Sequence, residues 1–343
     1  MDDRRVALEH WAISTIHQIE EQSITGKMTS VSGDASFRRY FRLHYLGRSW
    51  IAVDAPADKE DNPKFVKIAQ AWYQQGISVP KVIAYDFEQG FMLLEDFGST
   101  LLWEPLHAEG VSQQQLGGLY RQAIDLLLQI QPLDSSHLPA YDKTLLLNEM
   151  QLFTDWLCEK QLGIKLKTKE KQMFADCFEL LAEQALKQPQ ATVHRDYHSR
   201  NLMVKEDKSL GVIDFQDAVE GPVTYDLVSL LRDCYVRWPD EKVQELMAYH
   251  WEKARPLGLY LDDWSNFQKD FDLMGIQRHL KAAGIFARLN IRDGKPGYLS
   301  DIPNTCQYIL DISAKYQELA QLHSWLQSVF MPKLHTLETQ EGS

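Results

Sequence analysis

The run His194-Arg195-Asp196-Tyr197-His198-Ser199-Arg200-Asn201, followed by Leu202-Met203-Val204, a polar turn and Gly211-Val212-Ile213-Asp214-Phe215, constrains this chain more than any other stretch. With 202–205 and 210–213 as hairpin strands about the turn Glu206 to Ser209, antiparallel pairing sets Asn201 roughly opposite Asp214, their Cα atoms about 5 Å apart. Two oxygen-bearing side chains then converge on one point. Magnesium suits such a pair, because it takes one or two protein oxygens and completes its shell with phosphate and water. Asp196, five residues before Asn201, is placed to orient a hydroxyl and accept its proton during phosphoryl transfer. The competing reading is a surface loop followed by an ordinary hairpin.

The order His-Arg-Asp, four residues, Asn, and later Asp before Phe resembles the catalytic segment of protein-kinase-like phosphotransferases. His194, Asp196, Asn201 and Asp214 match it. The resemblance implies ATP as phosphate donor, Mg2+ at Asn201 and Asp214, and Asp196 as catalytic base. His194 is expected to be structural, packed and hydrogen-bonded beneath the loop. Gly221-Pro222 and Tyr225-Asp226-Leu227 follow Asp214 within a dozen residues, leaving no room for a long activation segment, so protein substrates are disfavoured. This compact stretch, IDFQDAVEGPVTYDLVSLL, is similar to the aminoglycoside phosphotransferase family, which implies a protein-kinase-like fold acting on small molecules. Asp226 is expected to brace the catalytic loop from a following helix.

Upstream, helical spacing over 5–22 gives way to short alternating stretches at 27–32, 37–45 and 49–54, separated by Gly33-Asp34 and Gly47-Arg48. Asp61 or Asn62 caps a helix with Pro63 in its first turn; Phe65, Ile68, Ala69 and Trp72 share a face, and Gly76 stops it. Strands at 82–87 and 91–95 complete a five-stranded antiparallel sheet with one helix after strand three. Beyond Gly98 helices are predicted near 112–130, 145–161 and 168–187, with more between 223 and 330. At 343 residues the chain is long enough for a second domain or lobe. The fold class is α+β, a protein-kinase-like two-lobed fold. Residues 1–97 form the nucleotide-binding lobe with a hinge at about 95–98, and 98–343 the helical lobe with catalytic loop 194–201 and metal-binding segment 211–217.

Phe91-Met-Leu-Leu-Glu95-Asp96-Phe97-Gly98 resembles a kinase hinge, which implies adenine contacts from the main chain near Glu95 and Phe97. The third strand departs from the kinase pattern. Where V-A-I-K is usual, this chain has Ile51-Ala52-Val53-Asp54, so Ala52 is assigned to the nucleotide site but an acid stands in the lysine's place. The next helix carries Lys64 and Lys67, which suggests a charge-swapped pair. The phosphate contacts are assigned instead to Ser36 and to the arginines of Phe37-Arg38-Arg39-Tyr40-Phe41-Arg42. Arg38 and Arg42 share one strand face and Arg39 lies on the other. A solvated arginine stripe is the alternative.

For the acceptor, GDASFRRYFR, Asp54-Ala55-Pro56, MLLEDFG and QRHLKAAGIFARLNIRDGKPGYLSDIPN are together similar to one subgroup, the bacterial anomeric N-acetylmuramate/N-acetylglucosamine kinases. The likeness runs over roughly residues 28 to 310. It implies phosphorylation of the C1 hydroxyl of an N-acetylated amino sugar in cell-wall recycling. In a helix predicted over 275–291, Ile276, Leu280, Ala283 and Ala287 make an apolar face beside Arg278, Lys281 and Arg288. That basic face suits a sugar bearing a carboxylate and not a polycationic aminoglycoside, unless it is simply solvated. His198, Arg200 and Asp217 flank the catalytic groups and complete the acceptor candidates. Two other functions stay open: phosphorylation of another small alcohol such as an aminoglycoside or choline, and a catalytically inactive nucleotide-binding pseudokinase.

The formal net charge of -12 disfavours nucleic acid and anionic lipid as partners. Cys158, Cys177, Cys234 and Cys306 are scattered without metal-ligand spacing and read as reduced thiols. No apolar run reaches the ~18 residues that span a bilayer, and the acidic start is unlike a signal peptide. These features favour a cytoplasmic protein with small-molecule partners and no obligate protein partner.

Overall fold

The structure, a computed structural model, describes residues 2–20, 27–31, 37–45, 47–108 and 110–341. In chain order its regular elements are α1 (Asp3–Glu20), β1 (Lys27–Ser30), β2 (Arg39–Tyr45), β3 (Arg48–Asp54), α2 (Asn62–Gln74), β4 (Val82–Asp86) and β5 (Phe91–Glu95). Then come α3 (Trp103–His107), α4 (Gln113–Ile130), α5 (Lys143–Leu152), a π-helical stretch (Phe153–Gln161), α6 (Thr168–Lys187), β6 (Gln190–Val193), β7 (Leu202–Val204), β8 (Leu210–Val212) and β9 (Val219–Pro222). The remainder is helical and includes α7 (Tyr225–Leu231), α8 (Asp240–Ala254), α9 (Trp264–Asp293) and α10 (Ile302–Ser313). Two compact units emerge, one of residues 1–104 with 200–217, the other of 105–199 with 218–343.

The first unit is built on an antiparallel sheet of order β1-β2-β3-β5-β4. Leu8, Ala12 and Ile16, one turn apart on α1, are buried against Met28, Phe41, Leu43, Trp50, Ala52, Phe91 and Leu93. The register explains this shared face, since Phe41 pairs with Ala52 and Ala52 with Leu93 across the strands. α2 starts where Asp61 accepts the Lys64 N–H at 3.1 Å, with Pro63 in the first turn. Its Phe65 and Trp72 rings pack on Phe215, with centroids 5.0 and 5.6 Å away. The β7–β8 hairpin belongs to this unit: Leu102 N–H donates to Leu202 O at 2.7 Å, Val204 N–H to Thr100 O at 2.8 Å and Val212 N–H to Ser78 O at 2.8 Å.

The second unit is organised on α9. Asp263 caps its start by accepting the Asn266 N–H at 2.9 Å, and Gly294, at φ 63°, ends it. Every residue from Asp270 to Lys281 is buried. A helix buried all round is a central helix, wrapped here by α5, α6, α7 and α10. Gly284 permits the closest approach, because a Cβ there would lie 2.4 Å from the Leu152 carbonyl carbon. The helix predicted over 275–291 is therefore the second half of a longer element, and its polar residues from Gln277 to Lys281 are interior ones.

Candidate active site

In the second unit, β6 feeds the loop that carries Asp196. His194 is fully buried, and its Nδ1 accepts the Asp196 N–H at 3.2 Å. Its ring packs edge-on against Tyr197, whose hydroxyl donates to Ala123 O at 2.7 Å. Asp226, from the first turn of α7, accepts the N–H groups of His194 at 2.6 Å and Arg195 at 3.0 Å. Asp233 holds the other end, accepting the Ser199 N–H at 3.0 Å and its hydroxyl at 2.5 Å. Two buried carboxylates thus fix the loop through its main chain.

A charged cluster surrounds Asp196. Glu149 on α5 accepts from Arg195 and from the Tyr141 hydroxyl, and pairs with Lys281 of α9 at 3.3 Å. Lys281 also donates to the Tyr225 hydroxyl at 3.0 Å. Burial opposes the charge on Asp196, but Lys281, then His198, Arg195 and His194, outweigh it and hold its carboxyl below the usual carboxylate range. Burial likewise opposes the charge on Glu149, and Lys281 with Arg195 keeps that carboxyl low too. Asp196 is therefore an ionised, half-buried carboxylate, the state a base requires.

In the first unit, the hairpin register pairs Leu202 with Val212, and Ile213 N–H donates to Asn201 O at 3.1 Å. Asn201 is therefore opposite Ile213, one residue short of the predicted pairing. Asp214 takes a left-handed φ of 67°, and its Oδ2 accepts from Asn201 Nδ2 at 3.3 Å. The two side chains meet by this backbone turn and not by strand pairing alone. Gln216 Nε2 donates to the other Asp214 oxygen at 2.7 Å.

Phe97 is buried against the same hairpin, so close that a Cβ on Gly211 would lie 2.4 Å from its ring, and the Lys205 ammonium sits 5.2 Å from the ring centre. Glu95 ends β5 with an exposed side chain, its N–H donating to Lys81 O at 2.9 Å. Arg42 clamps the segment after β5, bonded to Asp96 at 2.6 and 3.0 Å and to Gly98 O at 2.6 Å.

Two nucleotide assignments need correction. Ala52 is fully buried in the core beneath α1, and the alternation of β3 puts Asp54 on that same face. There Asp54 accepts from Arg4 Nε and from Arg39 Nε, each at 3.0 Å, and Arg39 also pairs with Asp2. Ala52 is thus core and Arg39 a counter-ion. The acid in the lysine's position is neutralised by arginines of α1 and β2, not by Lys64 or Lys67. Arg38, on the opposite strand face, pairs with Glu60 at 3.0 Å. Ser36 lies outside the described residues.

Of the acceptor candidates, Lys281 and His198 lie with Asp196; the His198 ring meets Tyr235 edge-on at 5.3 Å. Arg278 does not form a basic wall: it is buried and donates to Ser229 Oγ at 2.6 Å and Cys234 Sγ at 3.4 Å. Arg288 is half-buried one turn beyond Gly284. In the first unit Arg200 stacks on Trp103 at 5.6 Å, and Asp217 is exposed. Sequence reasoning assigned no role to Glu149, Asp233, Tyr141 and Tyr225; Glu149 meets Arg195 and Lys281, Asp233 meets Ser199 and Tyr225 meets Lys281 across long chain separations.

Comparison with known proteins places the chain in a family and a fold. A family model described as the phosphotransferase enzyme family matches residues 27–260. The chain is 42% identical over 305 residues to an N-acetylmuramate/N-acetylglucosamine kinase of Pseudomonas aeruginosa, covering 88% of each chain. It is 38% identical over 327 residues to the protein of that name from Neisseria meningitidis, covering 94% of this chain and 95% of the other. Among solved structures it is similar to a choline kinase from Streptococcus pneumoniae, with TM-score 0.58 and 12% identity over 88% of this chain and 99% of the other. An ethanolamine kinase of Plasmodium vivax gives TM-score 0.58 and 10% identity over 82% and 81%. At such identities the structural likeness establishes the protein-kinase-like α+β fold.

Proposed function

This chain belongs to the phosphotransferase enzyme family, and on that premise we propose that it transfers the terminal phosphoryl group of ATP to the anomeric C1 hydroxyl of N-acetylmuramate or N-acetylglucosamine, in recycling of cell-wall sugars. The observation that carries the acceptor class is the identity of 38–42% to kinases of that name along nearly the whole chain. Such coverage includes α9 and the segment after it, which lie beyond the part matched by the family model.

In this reading Asp196 accepts a hydrogen bond from the sugar hydroxyl. As the new oxygen–phosphorus bond forms, the bond from the γ-phosphorus to the bridging oxygen breaks, ADP leaves with that oxygen, and the hydroxyl proton passes to the Asp196 carboxylate. Lys281 and His198 border the base and serve the acceptor. Asp226 and Asp233 keep the loop in place, and His194 supports it from below.

Asn201 and Asp214 fit Mg2+. They supply an amide and a carboxylate at one point, the small protein share this ion uses when phosphates and water complete its shell. No group of three or more His, Cys, Asp or Glu suited to a metal occurs among the described residues. Bound there, the ion neutralises phosphate charge. The hinge segment Glu95 to Phe97 holds adenine. No helix among the described residues is long and apolar enough to cross a membrane, in keeping with work on a diffusible sugar in the cytoplasm.

Acid treatment of the product tests the position of transfer. Phosphate labelled from ATP is expected to be released by mild acid, as an anomeric phosphate is. A label that survives would point to an ordinary hydroxyl, and the absence of transfer to any small alcohol would favour the pseudokinase.

A further inference from the structure

The position where kinases place a phosphate-binding lysine is turned away from that task. Asp54 is fully buried on the α1 face of the sheet, closed by Arg4 and Arg39. The cation must therefore come from elsewhere. Of the two arginines on the other strand face, Arg42 is held by both oxygens of Asp96 and by Gly98 O. The other, Arg38, is paired with Glu60, and its side chain is 3% exposed.

The surroundings of Arg38 lead to the metal segment. Its guanidinium lies 5.4 Å from the centre of the Phe65 ring on α2; Phe65 stacks on Phe215, with centroids 5.0 Å apart, and Phe215 follows Asp214 directly. Glu60, two residues before α2, pairs with Arg38 through one oxygen at 3.0 Å and accepts the Phe37 N–H through the other at 3.1 Å. One carboxylate thus orients both the side chain and the main chain that presents it. In kinases a strand-three lysine is oriented by a glutamate of the following helix. Here the same two charges come from one strand earlier and from just before the helix. A nearly dry ion pair gives little net stability, because desolvation offsets its attraction.

We propose that Arg38 is the cation that contacts the ATP phosphates, in place of the absent strand-three lysine, and that Glu60 is its positioning residue. This rests on the kinase reading above. Arginine suits the role, since its planar fork matches phosphate oxygens and never loses its charge.

The test is to titrate Mg2+-ATP and, separately, adenosine into the full-length protein and its Arg38→Met and Glu60→Gln variants. Arg38→Met is expected to weaken ATP binding roughly 10- to 100-fold, the scale of one charge-assisted contact, with adenosine affinity retained. Glu60→Gln should cost ATP several-fold, again sparing adenosine, and carries the test alone if Arg38→Met does not fold. Unchanged ATP affinity, or equal loss for ATP and adenosine, would overturn the proposal by making the pair merely structural. Failure of the unmodified protein to bind Mg2+-ATP would instead bring down the kinase reading, and this proposal with it.

Discussion

The carboxylate of Asp226 accepts the main-chain N–H of Arg195 at 3.0 Å, and Arg195 holds a left-handed φ of 77°. A non-glycine residue in that region costs on the order of 1–3 kcal/mol and persists only where its surroundings enforce it. Asp226 supplies the enforcement, together with its 2.6 Å bond from His194 N–H. Asp226→Ala leaves both N–H groups without this acceptor and should lower stability by about 2–4 kcal/mol. Turnover should fall with it, because Asp196 is the next residue. Urea unfolding and steady-state kinetics on the same preparation check both effects.

Acidification should move activity and stability in opposite directions. Burial pushes the Asp226 carboxyl up to about 7, against the two N–H bonds that favour its charge, and nearby Asp196 adds to the rise. Because the folded value exceeds the unfolded one of about 3.9, the linked stability is fully present below the unfolded value and is lost as pH rises through about 7. The chain should therefore gain stability as pH falls through that window. Turnover should decline over the same window, as a protonated Asp226 offers the loop one good acceptor instead of two. Asp196 and Glu149, whose values are depressed, reverse the stability trend only at lower pH. Melting temperature and kcat followed across one buffer series test the crossing; parallel trends would argue against it.

Gly211 is required by Phe97. A Cβ at 2.4 Å from the ring cannot be accommodated without moving an aromatic that is buried just after β5. Gly211→Ala should cost about 1–3 kcal/mol, the usual range for overpacking, and weaken adenosine binding. Adding Phe97→Leu should recover much of the stability but not the binding. Denaturant midpoints and nucleotide titrations separate the two.

Asp214 and Asn201 are expected to differ in their effect on magnesium. Asp214→Asn removes the only charge of the pair and should raise the Mg2+ concentration for half-maximal activity more than Asn201→Ala does. Activity measured across a magnesium series at fixed ATP reads this directly.

Much of this was legible in local pattern. The predicted helix 168–187 coincides with α6, and the five strands differ from the predictions by at most two residues at an end. Period-two alternation and turn residues encode such elements locally. Charge pairing was not legible, because it depends on which faces meet. Nothing near Asp54 announces Arg4, fifty residues away, and nothing near Glu149 announces Lys281. Arg278 misled for a related reason: an amphipathic pattern assumes one face in water, whereas α9 is buried all round from Asp270 to Lys281 and Arg278 finds partners inside.

The most direct measurement is phosphorus NMR of ATP and Mg2+ incubated with N-acetylmuramate or N-acetylglucosamine, using the unmodified chain and Asp196→Asn. The account predicts a sugar 1-phosphate signal with the unmodified chain and none with the variant. Undiminished product from Asp196→Asn, or no phosphorylated sugar from either protein, would contradict it.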